Sequence, residues 1–198
     1  MKKSSPRMHR VVVILSLILG WALLATASVA ETYKVDQAHS FVMFRAKRMG
    51  VVYVYGRFND FSGTLTMSGD DISSGSLSLE VRTESVDSGN ERRDTHLRSP
   101  DFFNAKQLPV MSFSTTSLKG KGGNMYEVRG DLTLLGVTKE VIAEVEHVGT
   151  GKDRRSGKTM VGFDTTFVIQ RSDFGMKFMS GPLSEDVDIH LAIQAIEQ

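Results

Sequence analysis

The chain has 198 residues, no cysteine, and 24 basic against 23 acidic residues, a formal charge of +1. Four of the basic residues (Lys2, Lys3, Arg7 and Arg10) and none of the acidic ones fall in the first thirty positions, so residues 31–198 hold 20 basic against 23 acidic side chains, a net charge of −3. This excludes disulfide staples, thiol nucleophiles, thiolate metal sites and a lipid-modified cysteine anchor, and a mildly acidic domain has no electrostatic reason to bind nucleic acid.

Residues 1–30 read as a signal peptide. The basic leader is followed by an apolar run from Val11 to Leu24 and by the small residues Ala25-Thr26-Ala27-Ser28-Val29-Ala30, which predict cleavage after Ala30. An uncleaved N-terminal anchor is the alternative, because the run lies between signal length and membrane-spanning length. Residues 31–198 suit one domain with a core of its own, exported to the periplasm.

Alternation dominates residues 31–198. After the turn signal Ser68-Gly69-Asp70-Asp71, Leu77, Leu79 and Val81 interleave with Ser76, Ser78, Glu80 and Arg82. One stretch reads as helix, Glu91 to Asn104, and Pro100 makes it short or broken. Lys119 to Asn124 reads as a turn, and Val128, Leu132 and Leu134 then alternate with Glu127, Arg129, Asp131 and Thr133. Val141, Ala143 and Val145 alternate with glutamates, Gly149 to Asp153 reads as another turn, and Val161, Phe163, Phe167 and Ile169 begin the next run. The last run sets Val187, Ile189, Leu191 and Ile193 against Asp186, Asp188, His190 and Gln194. A period of two marks strands with one buried and one solvated face.

About eight to ten such strands with few interruptions predict an antiparallel meander, closed into a barrel or folded into a sandwich. The polar set (Glu80, Arg82, Glu127, Arg129, Asp131, Glu144, Asp188) carries too many full charges for a closed interior. An outer-membrane barrel would need the reverse arrangement. The expectation is therefore an all-β, lipocalin-like, eight-stranded antiparallel barrel of the soluble kind, with a short helix or loop closing one end. Such a barrel is either filled by its own side chains or holds one small ligand, and periodicity leaves that choice open.

Catalytic signatures are absent from the sequence. The histidines (His9, His39, His96, His147 and His190) form no metal-type spacing, and no nucleophile elbow or phosphate-cradling loop occurs. One dense polar cluster remains, Arg92-Arg93-Asp94-Thr95-His96-Leu97-Arg98-Ser99-Pro100-Asp101-Phe102-Phe103. Its guanidinium groups suit an anionic head group. Equally, Asp94 and the arginines suit a plug that bonds backbone groups at one barrel end, with Phe102 and Phe103 inserted into the barrel.

Several blocks together resemble the YceI-like family of bacterial proteins. They are Val35-Asp36-Gln37-Ala38-His39-Ser40-Phe41-Val42-Met43-Phe44, Gly56 to Gly63, Ser85 to Gly89 with Arg93 to Phe103, Pro109 to Phe113, Gly130 to Lys139, and Arg171-Ser172-Asp173-Phe174-Gly175-Met176. They run in order over essentially all of residues 31–198. The resemblance implies a barrel with an elongated hydrophobic cavity that holds a polyisoprenoid chain, an isoprenoid quinone included, in an exported and non-enzymatic protein. Many relatives carry a histidine just before a glycine-containing turn, where this chain has Arg48-Met49-Gly50. An obligate cation there implies a preference for a more anionic head group.

The expected cavity lining comes from the inward parity. It comprises Phe44, Val54, Phe58, Leu79, Val81, Met111, Phe113, Leu132, Leu134, Phe163, Phe167, Ile189 and Leu191, with Phe103 supplied by the plug. Head-group candidates are Arg48, Arg92, Arg93 and His96. No catalytic residue, metal or resident cofactor is expected, only a bound isoprenoid lipid or quinone; transient membrane contact and a homodimer are compatible with this reading. Two alternatives stand beside it: an enzyme acting on an isoprenoid-type lipid through Arg93, Asp94 and His96, and a filled barrel serving as an interaction module.

Overall fold

A computed structural model describes residues 30–68 and 71–198. The expected signal peptide therefore lies outside the described residues except for Ala30. Alternating side chains become eleven strands: β1 (Ala30–Val35), β2 (Phe41–Arg48), β3 (Val52–Phe58), β4 (Phe61–Ser68), β5 (Asp71–Arg82), β6 (Val86–Asp87), β7 (Val110–Gly122), β8 (Met125–Leu134), β9 (Val137–Lys152), β10 (Thr159–Gln170) and β11 (Leu183–Glu197). A single α-helix is described, α1 (Glu91–Leu97).

The pairings between these strands are antiparallel, and the circuit β1-β4-β5-β7-β8-β9-β10-β11 returns to β1, closing an eight-stranded barrel. The remaining strands extend three of these staves past a bend. β1 takes the last residues of β11, with Tyr33 opposite Glu197, and β2 takes the rest of that edge, with Leu191 opposite Val42. Between them a 3₁₀ turn over Gln37–His39 is capped by Asp36, whose carboxylate accepts the Ala38 N–H. β3 and β4 share a second stave in the same way, and β5 and β6 a third. Closure removes most of the unpaired edges that an open meander would expose.

Two turns differ from expectation. Gly120, Lys121 and Gly122 remain in β7, and Gly149 to Lys152 remain in β9, so that the β9–β10 connection moves to 153–158. Gly149 pairs with Gly162 beside a register shift at Gly162/Phe163. Glycines inside a strand here mark a bulge rather than its end. The helix also stops at Leu97, short of Asn104, because Pro100 cannot continue it.

The barrel has two unlike ends. At the turn end, short connections join β7 to β8 and β9 to β10, over a cluster containing Tyr33, Leu65, Met67, Ile72, Val161 and Ala195. At the capped end, α1 with its trailing loop and the 171–182 segment cover a cluster containing Phe58, Phe61, Phe102, Phe103, Phe174 and Met176. Near that end β9 and β10 diverge. They pair from Lys152↔Thr159 to Val145↔Thr165, beyond which β9 stays with β8 and β10 with β11. At the fork the Thr165 hydroxyl donates to the Glu144 carbonyl (2.7 Å).

Candidate functional site

Inward side chains of the eight staves enclose an elongated cavity of about 210 Å³. It runs from Ile72, Leu118 and Tyr126 toward the turn end, past Phe113, Leu132 and Leu191, to Phe102, Phe103 and Met176 at the cap. Two glycines help to keep this space open. A Cβ at Gly56 would stand 2.3 Å from Phe44 Cζ, and one at Gly130 would stand 2.3 Å from Phe113 Cζ. Each ring rests on bare backbone of the neighbouring strand instead of being pushed toward the lumen. At the cap, Phe103 meets Phe58 and Phe44 edge-on, with ring centroids 5.2 and 6.1 Å apart.

Thirteen of the fourteen residues expected along a cavity line this one: Phe44, Phe58, Leu79, Val81, Phe103, Met111, Phe113, Leu132, Leu134, Phe163, Phe167, Ile189 and Leu191. Val54 does not. It shares the parity of Gly56 and Phe58, but it belongs to a hairpin whose end leaves the barrel, with Val51 85% and Val52 52% exposed. Alternation continues there after the lumen has ended.

None of the four head-group candidates lines the cavity. Arg48 ends β2 in solvent, because the β2–β3 hairpin carries it past the rim, and Arg92 is exposed on α1. Arg93 is turned back on its own loop, donating from Nε to Ser88 Oγ and from Nη2 to Ser88 O, both at 2.7 Å. His96 Nε2 lies 2.8 Å from Asp101 Oδ2, and its ring meets Phe102 and Phe178 edge-on. Asp94 is buried and accepts both the N–H and the hydroxyl of Ser88, while Arg98 donates to the carbonyls of Glu84 (2.8 Å) and Val86 (3.0 Å). Asn90 caps the helix, accepting the Arg93 N–H at 3.0 Å. These contacts fasten the cap to the barrel; they do not point a charge into it.

Among the described residues, the charged side chain that does reach the cavity is Arg171, which is 1% exposed. Its Nε donates to Ser184 O (2.9 Å), Nη1 to Met176 O (3.1 Å) and Phe178 O (2.6 Å), and Nη2 to Leu183 O (3.4 Å) and Glu185 Oε1 (3.2 Å). A guanidinium has five N–H donors, and all are engaged. The Ser172 hydroxyl, by hydrogen bonding, holds the Glu185 carboxyl below the ordinary glutamate range; partial desolvation opposes this and the charge of Arg171 adds to it. Arg171 thus ties the 171–182 segment to β11, and among the described residues no free charge lines the lumen. The signal for it is present in the sequence, because Phe167, Ile169 and Arg171 continue one inward parity. Leu97 and Met176 also line the cavity from outside the strands, where alternation carries no information.

The model of the YceI-like domain family matches residues 33–195. Protein YceI of Escherichia coli O157:H7 is 39% identical over 176 residues, spanning 88% of this chain and 91% of that protein. Among solved structures, BcnA of Burkholderia cenocepacia superposes with a TM-score of 0.73 at 26% identity, covering 81% of this chain and 98% of its own. A polyisoprenoid binding domain from Saccharophagus degradans, implicated in plant cell wall breakdown, shares the fold with a TM-score of 0.64 at 17% identity, covering 84% and 98%.

Proposed function

The chain belongs to the YceI-like family, and from that premise we propose that it sequesters or carries a long-chain isoprenoid lipid in its barrel cavity, in the periplasm and without catalysing a reaction on it. The observation that carries this reading is the cavity itself. Among the described residues its lining is apolar apart from a few hydroxyl groups and Arg171, whose donors are already taken. Apolar cavities of about 150 Å³ stay dry and accept apolar guests. Each methylene moved from water into such a space contributes about 0.8 kcal/mol, so ten carbons contribute on the order of 8 kcal/mol before association costs are subtracted.

The same inventory favours a neutral head group, such as an isoprenoid quinone, over a polyprenyl phosphate, because no unengaged cation among the described residues faces the lumen. The fold shared with the Saccharophagus degradans domain, described as polyisoprenoid binding, supports the class of cargo. The leader at 1–30 supports export. A filled barrel is disfavoured by the 210 Å³ of space, and an enzyme using Arg93, Asp94 and His96 by their position outside the cavity lining.

Titration with isoprenoid quinones of increasing chain length tests the reading. Affinity is expected to rise with each added isoprene unit until the cavity is full, and to fall at the long-chain end when Phe163 and Leu191 are both replaced by Trp. Length-independent affinity, or a folded double variant that binds long chains as before, contradicts it.

A further inference from the structure

Apolar side chains stand in solvent at the tip of the β2–β3 hairpin. Val51 is 85% exposed, Met49 58% and Val52 52%. Phe178, 40% exposed, lies on the adjacent 171–182 segment, to which the hairpin is tied by the Met49 N–H donating to Pro182 O (2.7 Å). The tip is a tight turn: the Val51 N–H donates to Arg48 O (3.0 Å), and Met49 and Gly50 have φ of 54° and 69°. Turns with two positive φ values favour asparagine or glycine. Methionine in the first of these positions is strained, and the strain places an apolar side chain in water.

Charge is distributed just as unevenly. Residues 45–57 include Arg45, Lys47, Arg48 and Arg57 and no acidic residue, although residues 31–198 carry a net −3. Arg45 and Arg57 pair with Asp188 (2.9 Å) and Asp87 (3.2 Å). Among the described residues Lys47, Arg48 and Lys177 join no ion pair. Behind the tip, exposed Tyr53 and Tyr55 flank the strand, and Tyr53 holds the Arg45 guanidinium 4.4 Å and the Lys47 ammonium 5.2 Å from its ring centre.

An apolar tip, an aromatic collar and unpaired cations are the parts of an element that enters a bilayer interface. Tyrosine sits at head-group depth, lysine and arginine bury their stems and keep their charge in water, and anionic lipids attract them. A protein partner fits less well, since protein interfaces are depleted in lysine and bury about 800 Å² per side, more than a three-residue tip presents. We propose that the β2–β3 hairpin docks the protein on an anionic phospholipid surface, with Met49, Val51 and Val52 entering the interface and Lys47, Arg48 and Lys177 on the phosphates. Ala46 and Arg48 lie opposite Val187 and Leu183, both of which line the cavity, so docking brings the capped end of the cavity to the membrane. That purpose rests on the carrier reading; the docking itself does not.

The absence of cysteine makes a single label site-specific. Protein expressed from the full chain and purified without detergent, its N-terminus fixed by mass, is labelled at Val51→Cys with an environment-sensitive fluorophore. Arg154→Cys in the β9–β10 turn, at the other end of the barrel, is the control. Vesicles containing phosphatidylglycerol should raise emission several-fold and shift it to the blue at 51 but not at 154, with the response weakened by salt and absent on pure phosphatidylcholine. Lys47→Glu/Arg48→Glu, and separately Val51→Asp/Val52→Asp, should each lower vesicle affinity by on the order of tenfold with unchanged thermal melting. A silent label at 51, an equal response at 154, unchanged affinity in both double variants, or a concentration-dependent response without vesicles (which assigns the tip to a second copy of the chain) overturns the proposal. Lipid extracted from the same preparations keeps the two readings apart: cargo without docking sinks only the docking, and docking without cargo sinks only the carrier.

Discussion

The two ends of the barrel are closed by different physics. The turn end is closed by apolar packing: side chains such as Leu65, Ile72 and Val161 from different staves meet there, and their burial needs only the strand register. The capped end is closed by hydrogen-bonded anchors. α1 and the 171–182 segment are held down by Asp94, Arg98 and Arg171, whose partners are mostly backbone groups. An apolar end tolerates rearrangement among hydrophobic residues of similar volume. A polar cap does not, because losing one anchor strands several buried acceptors at once. Resistance to unfolding and retention of cargo should therefore respond separately to changes at the two ends.

The largest effect is expected at Arg171. Arg171→Met leaves the carbonyls of Met176, Phe178 and Ser184 without their donor, at a cost of about 3–5 kcal/mol in urea denaturation. Hydrogen exchange should rise in the 171–182 segment while the 118–126 hairpin stays protected. A uniform rise would mean that the ends are not separable. Gly130→Ala sets a Cβ against the Phe113 ring and the Ser114 carbonyl. It should cost about 1–3 kcal/mol and shorten the longest quinone bound; a loss of stability with no change in the bound length would mean that this glycine does not shape the cavity.

Smaller effects test the cap's chemistry. The His96–Asp101 pair is exposed on both sides, so His96→Ala should change stability by about 1 kcal/mol or less and leave bound lipid chemically unaltered, as the non-catalytic reading requires. Smallest is a pH effect. Because the Glu185 carboxyl is held below its ordinary value of 4.5, its contribution is fully present above that pH. The contribution is lost as pH falls through the lower folded-state value. Glu185→Gln should lower stability slightly at neutral pH and flatten the acid limb, so that the variant and the parent protein converge as pH falls; a difference that appears only in acid would contradict the assignment.

The division between the ends also decides what is legible in the sequence. Leu79, Phe113, Leu132 and Leu191 are readable as lining because a strand's period of two fixes which way a side chain faces. Val54 is misplaced by the same rule, since it reports parity and not where the barrel ends, and Arg48, a candidate from family resemblance, lies past that end. The arginines of α1 look like head-group ligands in sequence because composition records charge and not its partner. Ser88 and the carbonyls of Glu84 and Val86 take up Arg93 and Arg98 only once the chain has folded. Arg171 is hidden by its type: a charged residue at the end of a strand reads as solvated, although it continues the parity of Phe167 and Ile169.

The most direct test of the carrier reading is native mass spectrometry of protein purified from the envelope without detergent, with organic extraction and identification of what is released. A single long-chain isoprenoid is expected at near one-to-one stoichiometry, lost on extraction and restored by adding the lipid back. A bare chain that also fails to take up added isoprenoid quinones and prenyl phosphates would contradict the carrier reading and leave the barrel as a scaffold rather than a container.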